Sequence, residues 1–269
     1  MKTLFFAFFL LFSFFVEAKN GLEKIIVERY YISNAQDTGS IGGNLPNGST
    51  TYRVYVDMLP MYRFQAVYGI PGHLLEIKTS RKFYNHEDRG SYIANLIPDR
   101  NLSNNTLMLD SWLSAGAASE GSYGVLKRED DNLHTVEHSS GMLQNSNSQM
   151  KIPLYKSDGM KDGSVPRVTF FALDSAIRLF GNKTCGSILS TDNGSWACLN
   201  GAVGLDSAGS NRLLIGQFTT DGDFSFELNI QIGTPYGGVE NYVARNPLNN
   251  EIVLPDLIYN TNKKKRHKK

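Results

Sequence analysis

Residues 134–138 read HTVEH, which places His134 and His138 four apart with Glu137 beside the second. In the inverted zinc-protease pattern, H-x-x-E-H, two such histidines hold the metal and the glutamate activates water. That chemistry needs a helix, where residues four apart sit about 6 Å from each other. On a strand the same pair lies about 13 Å apart, too far to share one ion. In the surrounding EDDNLHTVEHSSGML, Asp131 or Asn132 could cap two helical turns and Gly141 could end them. Thr135, Val136 and the neighbouring strand patterns favour a strand or loop instead. A third ligand is also poorly placed, since Glu227 falls on the polar face of an expected strand and Glu240 follows a Gly-Gly turn. Zinc at His134 and His138 is therefore the minority reading.

Other polar clusters offer weaker chemistry. Glu129, Asp130 and Asp131 could supply oxygen ligands to calcium, the one metal cofactor the acidic clusters suggest, although no cluster matches the twelve-residue calcium loop. His86, Glu87 and Asp88 contain the acid and base of a glycosidase, but a charged loop between strands is the commoner meaning of such a run. No G-x-S-x-G nucleophile motif, P-loop or dinucleotide fingerprint occurs, so no nucleotide cofactor is expected. Trp196, in the Gly/Ser/Asn-rich GSWACLNG, could stack on a sugar face from an exposed loop. Its competing reading is a side chain folded back over the end of the core. Cys185 and Cys198 are the two cysteines and are expected to form a disulfide across that loop, worth about 3 kcal/mol.

The elements that must carry these residues read as strands. FSFELNIQI (224–232) alternates Phe224, Phe226, Leu228, Ile230 and Ile232 against Ser225, Glu227, Asn229 and Gln231. RLLIGQFTT precedes it, and Asp221-Gly222 between them predicts a hairpin. KIIVERYYI (24–32) and TYRVYVDM (51–58) are further strands, and RFQAVYG (63–69) is expected to return as partner of the second. Within TYRVYVDM, Tyr52, Val54 and Val56 oppose Arg53, Tyr55 and Asp57. HLLEIKTS, TLMLDSWLSAG, VPRVTFFALD and ENYVA follow the same pattern, and the stretches between them are turn chemistry. No segment longer than ten residues sustains a helical period. The expected fold is all-β, an antiparallel β-sandwich or two packed sandwich halves, 25–138 and 151–258, joined through the polar SSGMLQNSNSQM.

The two ends differ from this body. Lys2, the apolar run Thr3–Val16 and the small-residue site ending at Ala18 predict a cleaved secretory signal peptide over residues 1–18. Fourteen residues span about 21 Å as a helix, short of the roughly 30 Å hydrocarbon core, so no membrane span is expected. At the other end, residues 259–269 form a basic tail in which Lys263, Lys264, Lys265, Arg266, Lys268 and Lys269 could meet polyanions. The net charge of +1 conceals this asymmetry: without Lys2, Glu17 and the six tail cations, 20 basic and 25 acidic residues remain. Five N-x-S/T sequons, at Asn47, Asn101, Asn104, Asn182 and Asn193, all lie in expected loops.

The ordered series TYRVYVDM, RFQAVYGIPGHLL, FYNHEDRG, LDSWLSAGAAS, GVLKREDD, GSWACLNG, NRLLIGQFTTDG, FSFELNIQIGTP and GGVENYVARNP resembles a family of exported bacterial proteins common in Bacteroidetes. The resemblance spans roughly residues 25–258 and implies a β-rich surface or secreted protein with no established activity. Many such proteins continue into a C-terminal sorting segment, where this chain has KKKRHKK. The expected function is a secreted, extracellular binding or structural role without catalysis, in contact with polysaccharide, matrix or cell surface. The alternative is a secreted hydrolase, either a glycosidase or a zinc protease through His134, Glu137 and His138.

Overall fold

The computed structural model describes residues 20–35, 37, 42–102, 106–129, 135–137, 143–145, 158–173, 175–181 and 184–262. The expected signal peptide and the tail cations from Lys263 to Lys269 lie outside these residues, as do Asp130, Asp131, His134 and His138. The chain is built from strands, with single 3₁₀ turns between them. In order they are β1 (Leu22–Ile32), β2 (Thr50–Met58), β3 (Arg63–Gly69), β4 (Leu75–Thr79), β5 (Trp112–Leu113) and β6 (Ser122–Gly124). β7 (Thr135–Glu137), β8 (Leu143–Asn145), β9 (Met160–Asp162), β10 (Thr169–Phe171), β11 (Ile188–Thr191) and β12 (Gly194–Ala202) follow. The last six are β13 (Arg212–Thr220), β14 (Phe224–Glu227), β15 (Ile230–Gly233), β16 (Val239–Val243), β17 (Glu251–Val253) and β18 (Ile258–Asn260). No helix among the described residues is long and apolar enough to cross a membrane.

Three sheets make the body: β1-β2-β13-β5, β10-β12-β3-β15-β16-β17 and β11-β4-β14-β18. All their pairings are antiparallel except β16 with β17. The packed antiparallel sheets are those of an all-β sandwich. Each sheet takes strands from both sides of residues 139–150, so the expected halves 25–138 and 151–258 interleave rather than stand apart. β3 pairs with β12 and β15 instead of returning along β2, and β2 is flanked by β1 and β13.

The second and third sheets meet at one bend. β3 runs into β4, β11 into β12 and β14 into β15, and each passage changes sheet. Strands that switch sheets are how sandwich corners are made. At the bend Gly194 faces Gly69 across the ladder. A Cβ on Gly69 would sit 2.1 Å from the Thr191 carbonyl oxygen, so only glycine lets the strands approach this closely. Asn229 fastens the third strand by donating from Nδ2 to the carbonyls of Tyr68 (3.1 Å), His73 (3.2 Å) and Leu74 (3.2 Å). FSFELNIQI is therefore two strands broken at Leu228–Asn229, although its five apolar residues are all buried as the alternation required. Asp221-Gly222 likewise joins β13 of the first sheet to β14 of the third and closes no paired hairpin.

β2 is buried on both faces. Tyr52, Val54, Val56 and Met58 enter the main core with Phe64, Phe218, Phe224 and Trp196. The opposite face, with Arg53 and Tyr55, is covered by a second layer that includes Tyr30, Leu45, Tyr84, Leu109, Trp112 and Met160. The 3₁₀ turns at Ala94–Leu96, Asp99–Asn101 and Leu107–Leu109 and the β6–β9 pair belong to this covering layer.

Candidate functional site

A cleft of about 570 Å³ opens where four stretches of chain converge. After β4 the chain runs through Arg81–Glu87, held on one side by the Phe83 N–H to Gly186 carbonyl bond (2.9 Å) and on the other by the Tyr84 N–H to Thr219 carbonyl bond (2.8 Å). Apolar residues at 83 and 84 anchor this segment. The Phe83 ring packs edge-on against Phe180, with centroids 5.4 Å apart. The Tyr84 hydroxyl donates to the Gly42 carbonyl (3.0 Å) and shares a hydrogen bond with Thr106 Oγ1 (2.5 Å). Asn44, Pro46 and Ser49 line one wall, Thr184 and Cys185 another, and Thr220 and Asp221 close the end.

Arg81, Lys82, Glu87 and Asp221 are exposed lining residues of mixed charge. Asn85 behaves differently: it is 7 % exposed, and its Nδ2 donates to the carbonyls of Leu179 (2.7 Å) and Thr184 (2.8 Å). Those two carbonyls fix the amide orientation, because a flip would set oxygen against oxygen. The buried Oδ1 is left with no hydrogen-bond partner. An unmet buried acceptor costs about 1–3 kcal/mol and calls for an explanation.

The next residue does not join the cleft lining. His86 is 1 % exposed, and its Nδ1 accepts from the Arg89 N–H (3.3 Å). Nδ1 as acceptor places the ring proton on Nε2, which abuts Gly42. Gly42 has φ +91°, and a Cβ there would lie 2.2 Å from Nε2. Burial lowers the His86 pKa, which favours the neutral ring. Beneath it, Asp110 is fully buried and its carboxyl ties down the loop, accepting from the N–H groups of His86 (2.7 Å) and Ser91 (2.8 Å). Glu87 and Asp88 are exposed while His86 is buried, so the three residues do not share the one environment that a glycosidase's acid and base would need.

The residues singled out from sequence are scattered by the fold. Thr135–Glu137 is the strand β7, paired with β8, so the backbone between His134 and His138 is extended and not the helix that zinc chelation at that spacing requires. Glu129 is engaged by the Arg212 guanidinium, which also bonds Asp57 Oδ2 at 3.3 Å. Among the described residues no group of three or more His, Cys, Asp or Glu could hold a metal ion. Trp196, expected on a loop, lies in β12 at 1 % exposure and donates from Nε1 to the Ser114 carbonyl (3.2 Å), which removes it from any surface site.

The expected Cys185–Cys198 bridge is absent: both thiols are free, Cys185 exposed and Cys198 buried. Cys185 lies in the loop that leads into β11 of the third sheet, whereas Cys198 lies within β12 of the second, past the bend between the two sheets. Burial raises the Cys198 pKa, which slows its reaction further. Thiol titration of the purified protein should therefore find one fast group, Cys185, and a second only after unfolding. A mass two hydrogens below the reduced value, with no titratable thiol, would restore the bridge.

The fold and cleft thus define a large antiparallel β-sandwich with a groove of mixed polar and apolar lining beside its aromatic core. Comparison with protein-family models, curated proteins and solved structures returned no match.

Proposed function

We propose that this chain is an exported extracellular binding protein, non-catalytic, whose cleft contacts a surface or matrix polymer. Export rests on the signal-peptide pattern of residues 1–18 and agrees with the resemblance to exported β-rich proteins. The observation that carries the reading is the cleft: its volume falls within the range of ligand sites, and it is lined by charged and amide groups on strand-anchored segments. Glu87 and Asp221 serve here as hydrogen-bond acceptors and Arg81 and Lys82 as cationic contacts. The basic tail is a separate electrostatic contact in this reading.

Binding of the full chain to immobilised extracellular polysaccharides, compared with a variant lacking residues 263–269, tests it. Saturable binding that survives the deletion is expected. Binding that disappears with the tail would assign the contact to the tail and not the cleft.

A further inference from the structure

We propose that the ligand of this cleft is an anionic oligosaccharide, with a sugar hydroxyl donating to Asn85 Oδ1 and a carboxylate held by Arg81 and Lys82. This rests on the binding reading above and names its ligand class. Asn85 supplies the first constraint. Both directions of its Nδ2 are committed to the wall carbonyls of Leu179 and Thr184, and Oδ1 has no partner. The ligand must therefore bring a donor. Since Oδ1 is almost closed from solvent, a donor that reaches it must leave its own hydration behind, which costs a neutral hydroxyl far less than a charged ammonium.

The rim supplies the second constraint. Arg81 and Lys82 are exposed on the cleft, and neither is ion-paired among the described residues. They suit an anion, and Arg81 can grip a carboxylate through two parallel hydrogen bonds. The acceptors Glu87 and Asp221 line the same space. A ligand that satisfies Asn85, Glu87 and Asp221 together needs several donors close to each other and one negative group. A chain of acidic sugars has both, because each ring presents a set of hydroxyls beside its carboxylate. An acidic peptide has the negative groups but offers a single backbone N–H per residue.

Cys185 provides the readout. It is exposed in the cleft wall, next to the Thr184 carbonyl that Asn85 holds, whereas Cys198 is buried, so alkylation under native conditions reports on the cleft and not on the tail. Pentagalacturonate, maltopentaose and penta-glutamate would be titrated against the full chain, with affinity and Cys185 alkylation rate followed together. Pentagalacturonate should bind saturably, slow the alkylation, and bind about 10-fold or more tighter than either control. The double variant Arg81→Ala/Lys82→Ala, altered only at exposed side chains, should weaken it by about 10-fold or more. Asn85→Ala, with its fold verified by circular dichroism, should narrow the gap between pentagalacturonate and penta-glutamate.

Maltopentaose that binds as tightly and protects Cys185 would overturn the anionic part while leaving the cleft a polysaccharide site. Equal binding of penta-glutamate would overturn the sugar part. Pentagalacturonate that binds without protecting Cys185, or failure of all three probes to protect it, would overturn this ligand assignment. The separate polysaccharide panel with the tail deletion then decides whether the wider binding reading falls with it.

Discussion

Replacing Arg53 with alanine is expected to lower the unfolding free energy by about 3–5 kcal/mol, the range seen when one partner of a buried charged network is removed. Arg53 is 1 % exposed in the middle of β2. Its Nε donates to Gln217 Oε1 and one terminal nitrogen to the Gly159 carbonyl, each at 2.8 Å. The Tyr30 ring lies against the guanidinium, with its centroid 3.7 Å away. Glu28 and Gln217 are its cross-strand neighbours on β1 and β13, so the three make one polar rung through the sheet. Burial raises the Glu28 pKa, and Arg53 is the strongest influence opposing that rise. Truncation leaves the Gly159 carbonyl and Gln217 Oε1 without this donor and removes the main charge facing Glu28. The guanidinium chloride midpoint should fall with little change in slope. Arg53→Lys should recover little, because an ammonium reproduces neither the planar stacking nor the forked donors. Glu28→Gln combined with Arg53→Met should recover part of the loss, since the unpaired charge disappears. A loss below about 1 kcal/mol for Arg53→Ala would show that the rung adds little net stability.

That rung also shows what the sequence made legible and what it did not. The alternation Tyr52, Val54, Val56 against Arg53, Tyr55, Asp57 correctly separates two faces of one strand. It reads the second face as polar, yet the 3₁₀ turns and β6–β9 that cover it have no period of their own. FSFELNIQI reveals which side chains go inward, because burial repeats every second residue on either side of the bend. It does not reveal the bend, which depends on Asn229 meeting three carbonyls 155 to 161 residues away in sequence. Trp196 reads as a loop residue because Gly194 and Ser195 precede it, although Gly194 is present for close packing at the corner. The cleft is the least legible part. Its members come from residues 44–49, 81–87, 184–185 and 220–221. The one local sign is the charged run after FYN, which points to His86, Glu87 and Asp88 and not to Asn85, whose role depends entirely on tertiary contacts.

Stability should fall as pH rises toward about 8, and Asp110 should be the cause. Its carboxyl is fully buried and lies against Gly90, where a Cβ would come within 2.8 Å of both oxygens. Burial pushes its pKa up to about 8, against the partial opposition of the N–H groups of His86, Ser91 and Ser111. An unfolded aspartate titrates near 3.9. Between about pH 4 and 8 the folded chain therefore keeps a proton that the unfolded chain has released. The state that binds more protons gains as pH falls, so Asp110's contribution is most favourable at low pH and is lost as pH rises through about 8. The slope can reach about 1.4 kcal/mol per pH unit within that window and vanishes above it. His86 acts in the opposite sense: burial lowers its pKa, so its neutral folded form loses stability as pH falls below about 6.5. The comparison that isolates Asp110 is wild type against Asp110→Asn, which keeps a neutral side chain of the same shape at every pH. From pH 5 to 9 the melting temperature of the wild type should fall relative to the variant. A relative rise would mean that the backbone donors outweigh burial and hold the carboxylate ionised. Because Asp110 fastens both ends of the 86–91 loop beside Asn85 and Glu87, the same pH range should loosen one wall of the cleft. Protection of Cys185 by a bound ligand should then weaken toward pH 9 in the wild type and change less in Asp110→Asn.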